Sequence, residues 1–553
     1  MTECISLPSL SYVSSLSNYI MSQPSANKKV RRKSASFKVE LPGDDSIKQR
    51  LYNKLGEVKR RLSRFSLATN TDAIEKALDT YLMCSEEGQS QEQSTPVNVV
   101  PEYTATKREE TQQDMFFTTK VSVEKLVKQV TCHNFRCNRE MVWDSESFAG
   151  HAGIIRFQCE RGHAFHWKSS PTLPNGDALV NTRFVHGYIC SGMLPSQYET
   201  LCMGGNFGQL SGYKLQMISE DIAKHIKAES ISSFEAALLE EREKTKDSDR
   251  NGISIMTDGR HGTRKNAKDC DVVCIGLETH KVLKTVHVTK NDDPIPQRHE
   301  KFGTEKLYQY FDQKHLKIDK HAHDSNQSIN KYVRERGVNN QNDTWHGVKS
   351  VKREVAAVAK GARMREGITW HEELSDKVDP IKRQTHWIMR HCNNNGDVLK
   401  RKMLNIVEHY KGNHRDCDDD SSCRTNPNYI SQYIQITSPV AEELLKSAIK
   451  KTIVYKMAES YREALDTFYV ESYNNVLNVF HDKRIFFGNI QYELRTDLTT
   501  CHWNENVDRE YTSIWNREQA TAPNRQSGKK QLSAPTYQYK TNIWNRLMDD
   551  IYQ

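Results

Sequence analysis

The chain has 553 residues, with 79 Lys and Arg against 71 Asp and Glu, a net charge of +8 and 36% hydrophobic residues. The length allows two to four domains, and the low hydrophobic fraction predicts long polar segments. No apolar run approaches the ~20 residues that a membrane span needs, and no compact signal peptide pattern is present, so we expect an intracellular protein with no membrane partner.

The first 120 residues are polar and basic. The run KKVRRKS at 28–34 suits nuclear import or phosphate binding, and we expect a nuclear protein. Leu51, Leu55 and Val58 share one helical face, which predicts a small helical pair or a dimerisation element. The Pro-punctuated polar stretch that follows is typical of a disordered linker. We therefore predict a basic, largely disordered N-terminal region over 1–120 with short helices.

Cysteine spacing identifies a candidate metal site over 121–170. The chain's 13 cysteines are odd in number and scattered, so we expect no disulfide framework. Two ligand pairs separated by β-like segments are typical of a structural zinc site of ribbon type. The four candidates are Cys132, Cys137, Cys159 and His163. His133 or His166 could replace a ligand, because four residues rather than two separate the first pair. The competing interpretation is a small domain with buried free cysteines.

The sequence of residues 171–250 predicts a helical connector. They begin with the Gly-rich turns of LCMGGNFGQLSG and continue into a long run with helical character. The charged end of this run indicates a solvent-facing helix.

The next segment predicts an order of strands and helices that places two acidic residues on strands. Asp258 closes an apolar run before a Gly-marked turn, and two β-branched runs, DVVCIGLETH and VLKTVHVTK, predict a hairpin. Leu307, Tyr310 and Phe311 share a helical face, and Asp324 follows another short run. The sequence thus predicts strand, strand, strand, helix, strand, with an acid on the first and fourth strands.

Carboxylates at strand ends suit a site for two metal ions. The sheet holds such a carboxylate while its oxygens face outward, where two hard cations roughly 3.5–4 Å apart can activate water and stabilise a leaving oxygen. A third acid, Glu471, lies in a helical run. The stretch before Asp324 is polar where we expect a short hydrophobic strand, so Asp319 remains an alternative to Asp324. A solvated surface role is the alternative for any single acid.

A long interval separates the second acid from Glu471. It is largely helix-forming and rich in Lys and Arg, which predicts a helical insertion over about 352–455, and an ordinary helical bundle with a solvated basic face is one interpretation of it. Within the interval, two His and two Cys residues are irregularly spaced in a stretch that is rich in Asp. They could form a second zinc site or belong to a solvated loop. The residues concerned are His409, His414, Cys417 and Cys423.

The chain after residue 512 is polar, with scattered aromatic residues. We predict a flexible C-terminal tail over 513–553. Within it, the run TNIWNRLMDDIYQ from Thr541 could form a short docking helix.

Five segments carry a resemblance to a known family. In chain order they are TDGRHGTRKNAKDCDVVCIGLET, KFGTEKLYQYF, HDSNQSINKYVRER, NDTWHGVKSVKRE and ESYNNVLNVFHDKRIFF. Over about 128–512 the chain resembles the eukaryotic cut-and-paste DDE transposases of the Kolobok and Mutator-like kind. The stretch DTWH matches the Asp/Cys-x-x-His signature that follows the second catalytic Asp in several of these superfamilies.

The resemblance implies a fold and a set of roles. It implies an α/β, ribonuclease H-like mixed sheet as the catalytic domain over 251–512, interrupted by the helical insertion and preceded by the zinc-ribbon-like module. It implies that a metal-binding triad is formed by Asp258, Asp324 and Glu471. The implied auxiliary pair is Asp343 and His346. The similar transposases also carry a comparable Cys and His series at the zinc candidate.

The sequence therefore predicts a nuclear DNA transposase that depends on Mg²⁺ or Mn²⁺, contains Zn²⁺ and cleaves and joins DNA strands. Its expected partners are transposon ends, target DNA and further copies of the chain in a homo-oligomer. The main alternative is a domesticated, catalytically inactive DNA- or chromatin-binding protein, and a structure-specific nuclease with the same acids is the third. We find no Walker loop and no convincing dinucleotide fingerprint.

Overall fold

The computed structural model describes residues 108–112, 114–115, 117–134, 136–246, 252–262, 267–361, 369–515 and 529–553. Most of the predicted N-terminal region, including the basic run at 28–34 and the proposed helices, lies outside the described residues. Among the described helices, none is long and apolar enough to cross a bilayer.

A three-stranded antiparallel sheet follows a short 3-10 helix and helix α1. The strands lie side by side in chain order, and the elements are the 3-10 helix Arg108–Gln112, α1 (Lys120–Val127), β1 (Met141–Ala149), β2 (Ala152–Cys159) and β3 (Ala164–Lys168). The module has a small core of its own, composed of Val127, Cys132, Cys137, Met141, Ile155, Phe157 and Cys159. So small a core favours an additional cross-link such as a metal ion, because little apolar surface is buried.

Three helices connect this module to the main sheet. They are α2 (Leu179–Cys190), α3 (Pro195–Gly205) and α4 (Gly212–Thr245). Ser211 is the N-cap of helix α4, and its hydroxyl accepts a hydrogen bond from the Lys214 amide.

The main sheet has five strands and mixed directions. In chain order its elements are β4 (Ile253–His261), β5 (Asp269–Gly276), β6 (Val282–Thr289), α5 (Pro296–Gln313), β7 (Ile318–His323), α6 (Gln327–Glu335) and β8 (Asn339–Asn342). The strands lie in the order β6-β5-β4-β7-β8. Strands β4, β5 and β6 pair antiparallel, whereas β4, β7 and β8 pair parallel. The structure thus contains the predicted order of three strands, helix and strand. It also shows that β4 continues three residues beyond Asp258.

The interval between the main sheet and the helix of Glu471 is helical in its described part. Its elements are α7 (Thr344–Ala359), the 3-10 helix Glu372–Leu374, α8 (Val378–Arg390), α9 (Gly396–Tyr410), α10 (Ser422–Thr425), α11 (Pro439–Lys451), α12 (Ile453–Lys456) and the 3-10 helix Ala458–Ser460. These helices share a separate core that includes Val351, Ile381, Leu399, Leu445 and Val454. The interval therefore packs around a core distinct from those of the main sheet.

The last elements are α13 (Phe468–Phe480), α14 (Asn489–Asn506), β9 (Tyr511–Trp515), β10 (Lys529–Leu532) and α15 (Gln538–Tyr552). The structure contains a helix at the run from Thr541, where a docking helix was expected, but α15 begins three residues earlier and enters the core formed with α2, α4 and α14, so this part of 513–553 is not a flexible tail. The buried side chains of α15 are Tyr539, Ile543, Trp544, Leu547 and Met548. Their spacing forms an apolar face along the helix, whose burial offsets the entropy of ordering the segment.

Helices cover both faces of the main sheet. One face packs on α5 through Leu307 and Phe311, and the other packs on α13 through Val470, Tyr473 and Leu477. Strand β5 is buried at every residue as a consequence. The candidate acids therefore lie at one end of a sheet that is fixed from both sides.

Candidate functional site

Strand pairing brings two of the predicted acids to the same end of the sheet. Strands β4 and β7 are parallel neighbours, with Thr257 opposite His323. Asp258 and Asp324 are the next residues on the two chains. Asp319 lies near the opposite end of β7, where Ile318 pairs with Ile253. The register therefore groups Asp258 with Asp324 and separates both from Asp319.

Asp258 is held by a backbone amide and by helix α13. Its Oδ1 accepts a hydrogen bond from the Gly259 amide at 2.8 Å, and its Oδ2 accepts one from the Asn474 side-chain amide at 3.1 Å. Burial raises the pKa of this carboxyl, although the Gly259 hydrogen bond and nearby cationic groups oppose the shift. Both oxygens are thus oriented by groups that leave further lone pairs open.

Asp324 has a buried oxygen without a hydrogen bond from any described residue. This atom is Oδ1, and although His346 Nδ1 lies 3.1 Å away, the approach lacks hydrogen-bond geometry. Burial, together with the charges of Asp258, Asp343 and Glu471, raises the pKa of Asp324 to about 6, while His346 acts in the opposite direction. A cation at this end of the sheet would relieve the repulsion between the carboxylates.

Glu471 lies in the first turn of α13, with an exposed side chain. Asn474, which bonds to Asp258, follows three residues later, so the two side chains lie on neighbouring positions of one helix face. The charge of Glu471 acts on the pKa of Asp324. The third predicted acid is therefore on the helix that covers the ends of β4 and β7.

Arg260 fixes the position of α13 on β4. It is 4% exposed and lies on the same strand face as Asp258. Its Nη2 donates to Asn478 Oδ1 and to the His481 carbonyl oxygen, both at 2.8 Å, and its Nη1 lies 3.0 Å from His481 Nδ1. Burial and the Arg260 charge lower the pKa of His481 to about 4, so the neutral ring can accept from Arg260. Contacts at helix positions 474, 478 and 481 thus join one face of α13 to β4.

Asp343 joins three elements around the acids. It caps α7 by accepting a hydrogen bond from the His346 amide at 2.7 Å, and its other oxygen accepts one from the Thr467 amide at 2.8 Å. Its own amide donates to the His323 carbonyl oxygen at 2.9 Å. Since Thr467 is the N-cap residue of α13, Asp343 connects the end of β7 to the start of the helix that carries Glu471.

The predicted auxiliary pair contacts the second acid directly. His346 Nδ1 lies 3.0 Å from Asp343 Oδ1, and these two residues and Asp324 bring ligand atoms within 4.8 Å of one another. Asp258 and Glu471 are not part of that tight group. The structure thus brings Asp324, Asp343 and His346 into contact and places the other two acids around them.

Glu300 is a carboxylate that the sequence reasoning missed. It lies near the start of α5, and its Oε2 accepts a hydrogen bond from the Asn326 side-chain amide at 3.0 Å. Burial and the charges of Asp258 and Asp324 raise the pKa of Glu300 to about 7. Only glycine fits at position 259, since a Cβ there would lie 2.7 Å from Glu300 Cγ. Asn474 was also missed, although its position three residues after Glu471 was a usable signal.

The predicted zinc ligands form a compact group. Cys132, Cys137, Cys159 and His163 bring ligand atoms within 4.8 Å of one another. The Cys137 and Cys159 sulfurs are 3.8 Å apart, and His163 Nδ1 lies 3.6 Å from the sulfurs of both Cys132 and Cys159. Zn–S bonds of about 2.3 Å and Zn–N bonds of about 2.0 Å in a tetrahedron give edges of about 3.8 and 3.5 Å. The group therefore has the dimensions of a tetrahedral zinc site.

Chemical features of this group agree with its geometry. Burial opposes ionisation, but hydrogen bonds from the backbone of Arg161 and His163 and from neighbouring thiols lower the pKa of Cys159 to about 7. The cysteines are free, and the sulfur separation far exceeds a disulfide bond. His133 and His166, the alternative ligands, are exposed and lie outside the group.

The second cysteine and histidine cluster is also assembled. His409, His414, Cys417 and Cys423 bring ligand atoms within 4.8 Å of one another. The Nδ1 atoms of His409 and His414 are 3.2 Å apart, and Cys417 Sγ lies 3.5 Å from His409 Nδ1. All four residues are half-buried. The donor set fits a metal ion, and its partial exposure distinguishes it from the first group.

The comparison with known families agrees with this picture. Residues 114–293 match the family model of the Mutator-like transposase. The match spans the cysteine module, the connecting helices and strands β4 to β6, and it therefore includes Asp258. It supports a Mutator-like, transposase-type protein, and that part of the predicted resemblance is confirmed. No curated protein matches the chain. The family suggests a transposase or transposon-derived function with DNA binding and divalent metal dependence.

Proposed function

We propose that the protein is a DDE transposase with a ribonuclease H-like catalytic domain, which cleaves DNA strands and joins them to target DNA with the help of Mg²⁺ or Mn²⁺. The observation that carries the proposal is the register of β4 and β7, which puts Asp258 and Asp324 side by side under the helix of Glu471. The family match over 114–293 supports the same function.

The topology of the main sheet supports the fold part of the proposal. Three antiparallel strands followed by a helix and two parallel strands, in the order β6-β5-β4-β7-β8, is the arrangement that a ribonuclease H-like domain requires. The first strand, β4, is central, and Asp258 and Asp324 follow directly after the paired residues Thr257 and His323. The helical insertion lies between β8 and α13 in the sequence. It therefore follows the last strand of the main sheet and does not interrupt the sheet.

The chain's own groups suit metal-assisted phosphoryl transfer. Asp258, Asp324 and Glu471 would hold the ions, whose contribution when bound is to activate the attacking oxygen and stabilise the departing 3′-oxygen. The Asp324 Oδ1 atom, buried and without a hydrogen bond from a described residue, is the open acceptor that such a site needs. Asn474 and the Gly259 amide orient Asp258, and Asp343 anchors the helix of Glu471.

Cysteine and histidine ligands have a separate, structural role in the proposal. Cys132, Cys137, Cys159 and His163 would hold one Zn²⁺ and staple the small first module. The cluster of His409, Cys417 and their two neighbours would hold a second. Nuclear localisation, homo-oligomer formation and recognition of transposon ends also belong to the proposal.

Cleavage of DNA tests the proposal. The substrate is a labelled duplex carrying the genomic flanks of the gene, incubated with Mg²⁺ or Mn²⁺. We expect nicking or cutting by the parent, and loss of cleavage in Asp258→Asn, Asp324→Asn and Glu471→Gln, with DNA affinity kept within a fewfold because the fold is retained. Asp319→Asn is the matched control and should keep substantial activity.

The outcomes separate the alternatives. If the Asp319 variant is inactive and the Asp324 variant is active, the second acid is assigned wrongly. If all four variants cut like the parent, the site lies elsewhere. A parent that binds DNA but never cuts would favour the inactive, DNA-binding alternative.

A further inference from the structure

The loop between α13 and α14 presents cations and apolar side chains to solvent. Its residues 482–486 have the sequence DKRIF and are all exposed. Phe486 is 70% exposed and Ile485 is 37% exposed. Single exposed apolar side chains are common, but two neighbouring ones grouped with cations form a candidate binding surface.

The loop is held in place rather than left free. The side chain of Asp482 accepts a hydrogen bond from the Arg484 amide at 2.7 Å, and its carbonyl accepts one from the Ile485 amide at 3.1 Å. The following residue, Phe487, is 9% exposed and packs with its ring 4.6 Å from that of His481. These contacts form a turn with a buried base, so the exposed side chains are presented in a defined direction.

The base of the loop is itself anchored to the rest of the fold. The guanidinium of Arg495 lies 4.8 Å from the Phe487 ring centroid and donates to the Phe480 and Gly192 carbonyl oxygens at 2.6 and 2.9 Å. Arg260 holds His481 from the other side. The loop is thus fixed to the same helix end that Arg260 joins to β4.

The loop lies beside the end of β4 that carries Asp258. Arg260, two residues after Asp258, donates to the carbonyl oxygen of His481, which directly precedes the loop with its exposed cations Lys483 and Arg484. Another cation, Lys268, lies with its Nζ 4.7 Å from the Phe486 ring centroid. The surface beside Asp258 therefore combines three cations, counting Arg484, with one exposed aromatic face.

Nucleic acid is the partner that fits this combination. Cations neutralise backbone phosphates, whereas an aromatic face stacks on a base only where that base is unpaired. An acidic peptide would be attracted by the cations but would leave Phe486 without a matched group. A duplex alone would offer phosphates without an accessible base face.

We propose that the loop 482–486 binds the DNA strand next to the scissile phosphate, with Lys483 and Arg484 on backbone phosphates and Phe486 stacked on an unpaired base. The inference rests on the proposed function, since it takes the acids as the place of cleavage. It adds a preference for DNA that is open, or readily opened, beside the cut.

A binding experiment tests the stacking contact without requiring cleavage. Two labelled DNAs, a blunt duplex and the same duplex with a single-stranded extension carrying 2-aminopurine, are titrated with the full chain in buffer without Mg²⁺. One stacked base changes affinity by about 5- to 150-fold. We expect Phe486→Ala to lose an amount in this range on the extended DNA and less than twofold on the blunt duplex. Phe486→Trp should keep the affinity and the quenching of 2-aminopurine.

Matched controls identify nonspecific effects. Tyr213→Ala removes a ring that is 74% exposed on α4 and should leave both affinities unchanged. Lys483→Ala should reduce the slope of log affinity against log salt by roughly 0.7–0.9, the share of one phosphate contact. Lys128→Ala, at the exposed C-cap of α1, should reduce it less.

Two results would overturn the inference. One is a Phe486→Ala variant that binds the extended DNA like the parent, and the other is an equal loss on both DNAs, which would mean that the ring does not read unpaired bases. The proposed function fails separately. A parent that shows the Phe486 preference in binding but never cuts keeps the DNA-binding loop and loses the transposase activity.

Discussion

Replacing Arg260 by Met should loosen the helix that carries Glu471. The substitution removes the two donors to Asn478 and the His481 carbonyl oxygen at 2.8 Å, together with the contact to the His481 ring, and keeps an unbranched apolar side chain. Hydrogen bonds from a charged donor contribute about 1.5–3 kcal/mol each, and a buried carbonyl left unpaired costs about 1–3 kcal/mol. Because Asn478 is exposed and can turn to water, we expect a net loss of about 2–4 kcal/mol in the local stability of α13.

Amide hydrogen exchange measures this loss at the helix itself. A change of 2–4 kcal/mol corresponds to roughly 30- to 900-fold faster exchange in α13 and the end of β4, since about 1.36 kcal/mol is tenfold. DNA cleavage should fall with it, and affinity for DNA with an unpaired base should also weaken, because Arg260 holds the base of the loop 482–486. The control is Arg336→Met, because Arg336 forms a paired contact with Asp312 at 2.6 and 2.7 Å on the surface, where the expected loss is at most about 1 kcal/mol. Parent-like exchange in α13 of the Arg260 variant would refute the reasoning.

Three further predictions concern metal, pH and salt. Freshly purified protein should contain about one tightly held zinc ion, or two if the second cluster is also occupied. The Cys159→Ser variant should lose one zinc ion and have a less stable first module. Elemental analysis that finds no zinc in folded parent protein would contradict this prediction. Burial lowers the pKa of His287, but hydrogen bonds and charges of Asp269 and Asp271 outweigh it and raise the pKa to about 9. The resulting stabilisation, up to about 3 kcal/mol, should be complete below pH ~6.5 and lost as pH rises towards about 9, and urea unfolding of His287→Gln should lack this dependence. Duplex affinity should fall with salt at a slope of roughly −0.9 per phosphate contact, and an affinity insensitive to salt would point to a protein partner instead.

Local patterns were sufficient for much of the candidate site. The hairpin of β5 and β6 followed from two β-branched runs, and the cysteine and histidine spacing identified both clusters that the structure assembles. A strand made only of polar residues could not be predicted from such local patterns. Strand β8 consists of Asn339, Asn340, Gln341 and Asn342, and its last three residues are buried. The Asn340 side-chain amide donates to Asn330 Oδ1 and Ser460 Oγ, and the Gln341 side-chain amide donates to the Glu459 carbonyl oxygen, so tertiary partners decide the strand.

The C-terminal helix shows the same limit. The run from Thr541 indicated a short docking helix in a tail expected to be flexible, and only packing against α2 and α4 shows where α15 docks and why it is ordered. Glu229 of α4 accepts hydrogen bonds from Asn542 at 2.7 Å and Arg546 at 3.0 Å, and the Arg183 guanidinium lies 4.2 Å from the Trp544 ring. Partners so distant in sequence are invisible to any local pattern.

From its amino-acid sequence alone, this protein can be assigned its acid and cysteine candidates, the order of the elements that carry them and a resemblance to Mutator-like transposases. The candidates and the order of elements follow from short-range periodicity and spacing, which each segment expresses locally, whereas the resemblance rests on five segments that are similar to the family. The choice between Asp319 and Asp324 as neighbour of Asp258 depends on the register of β4 and β7, and the roles of Asn474, Arg260 and Glu300 depend on where α13 and α5 pack. Register and packing are long-range properties, because they come from burying whole faces of the sheet at once, and only the tertiary structure decides them.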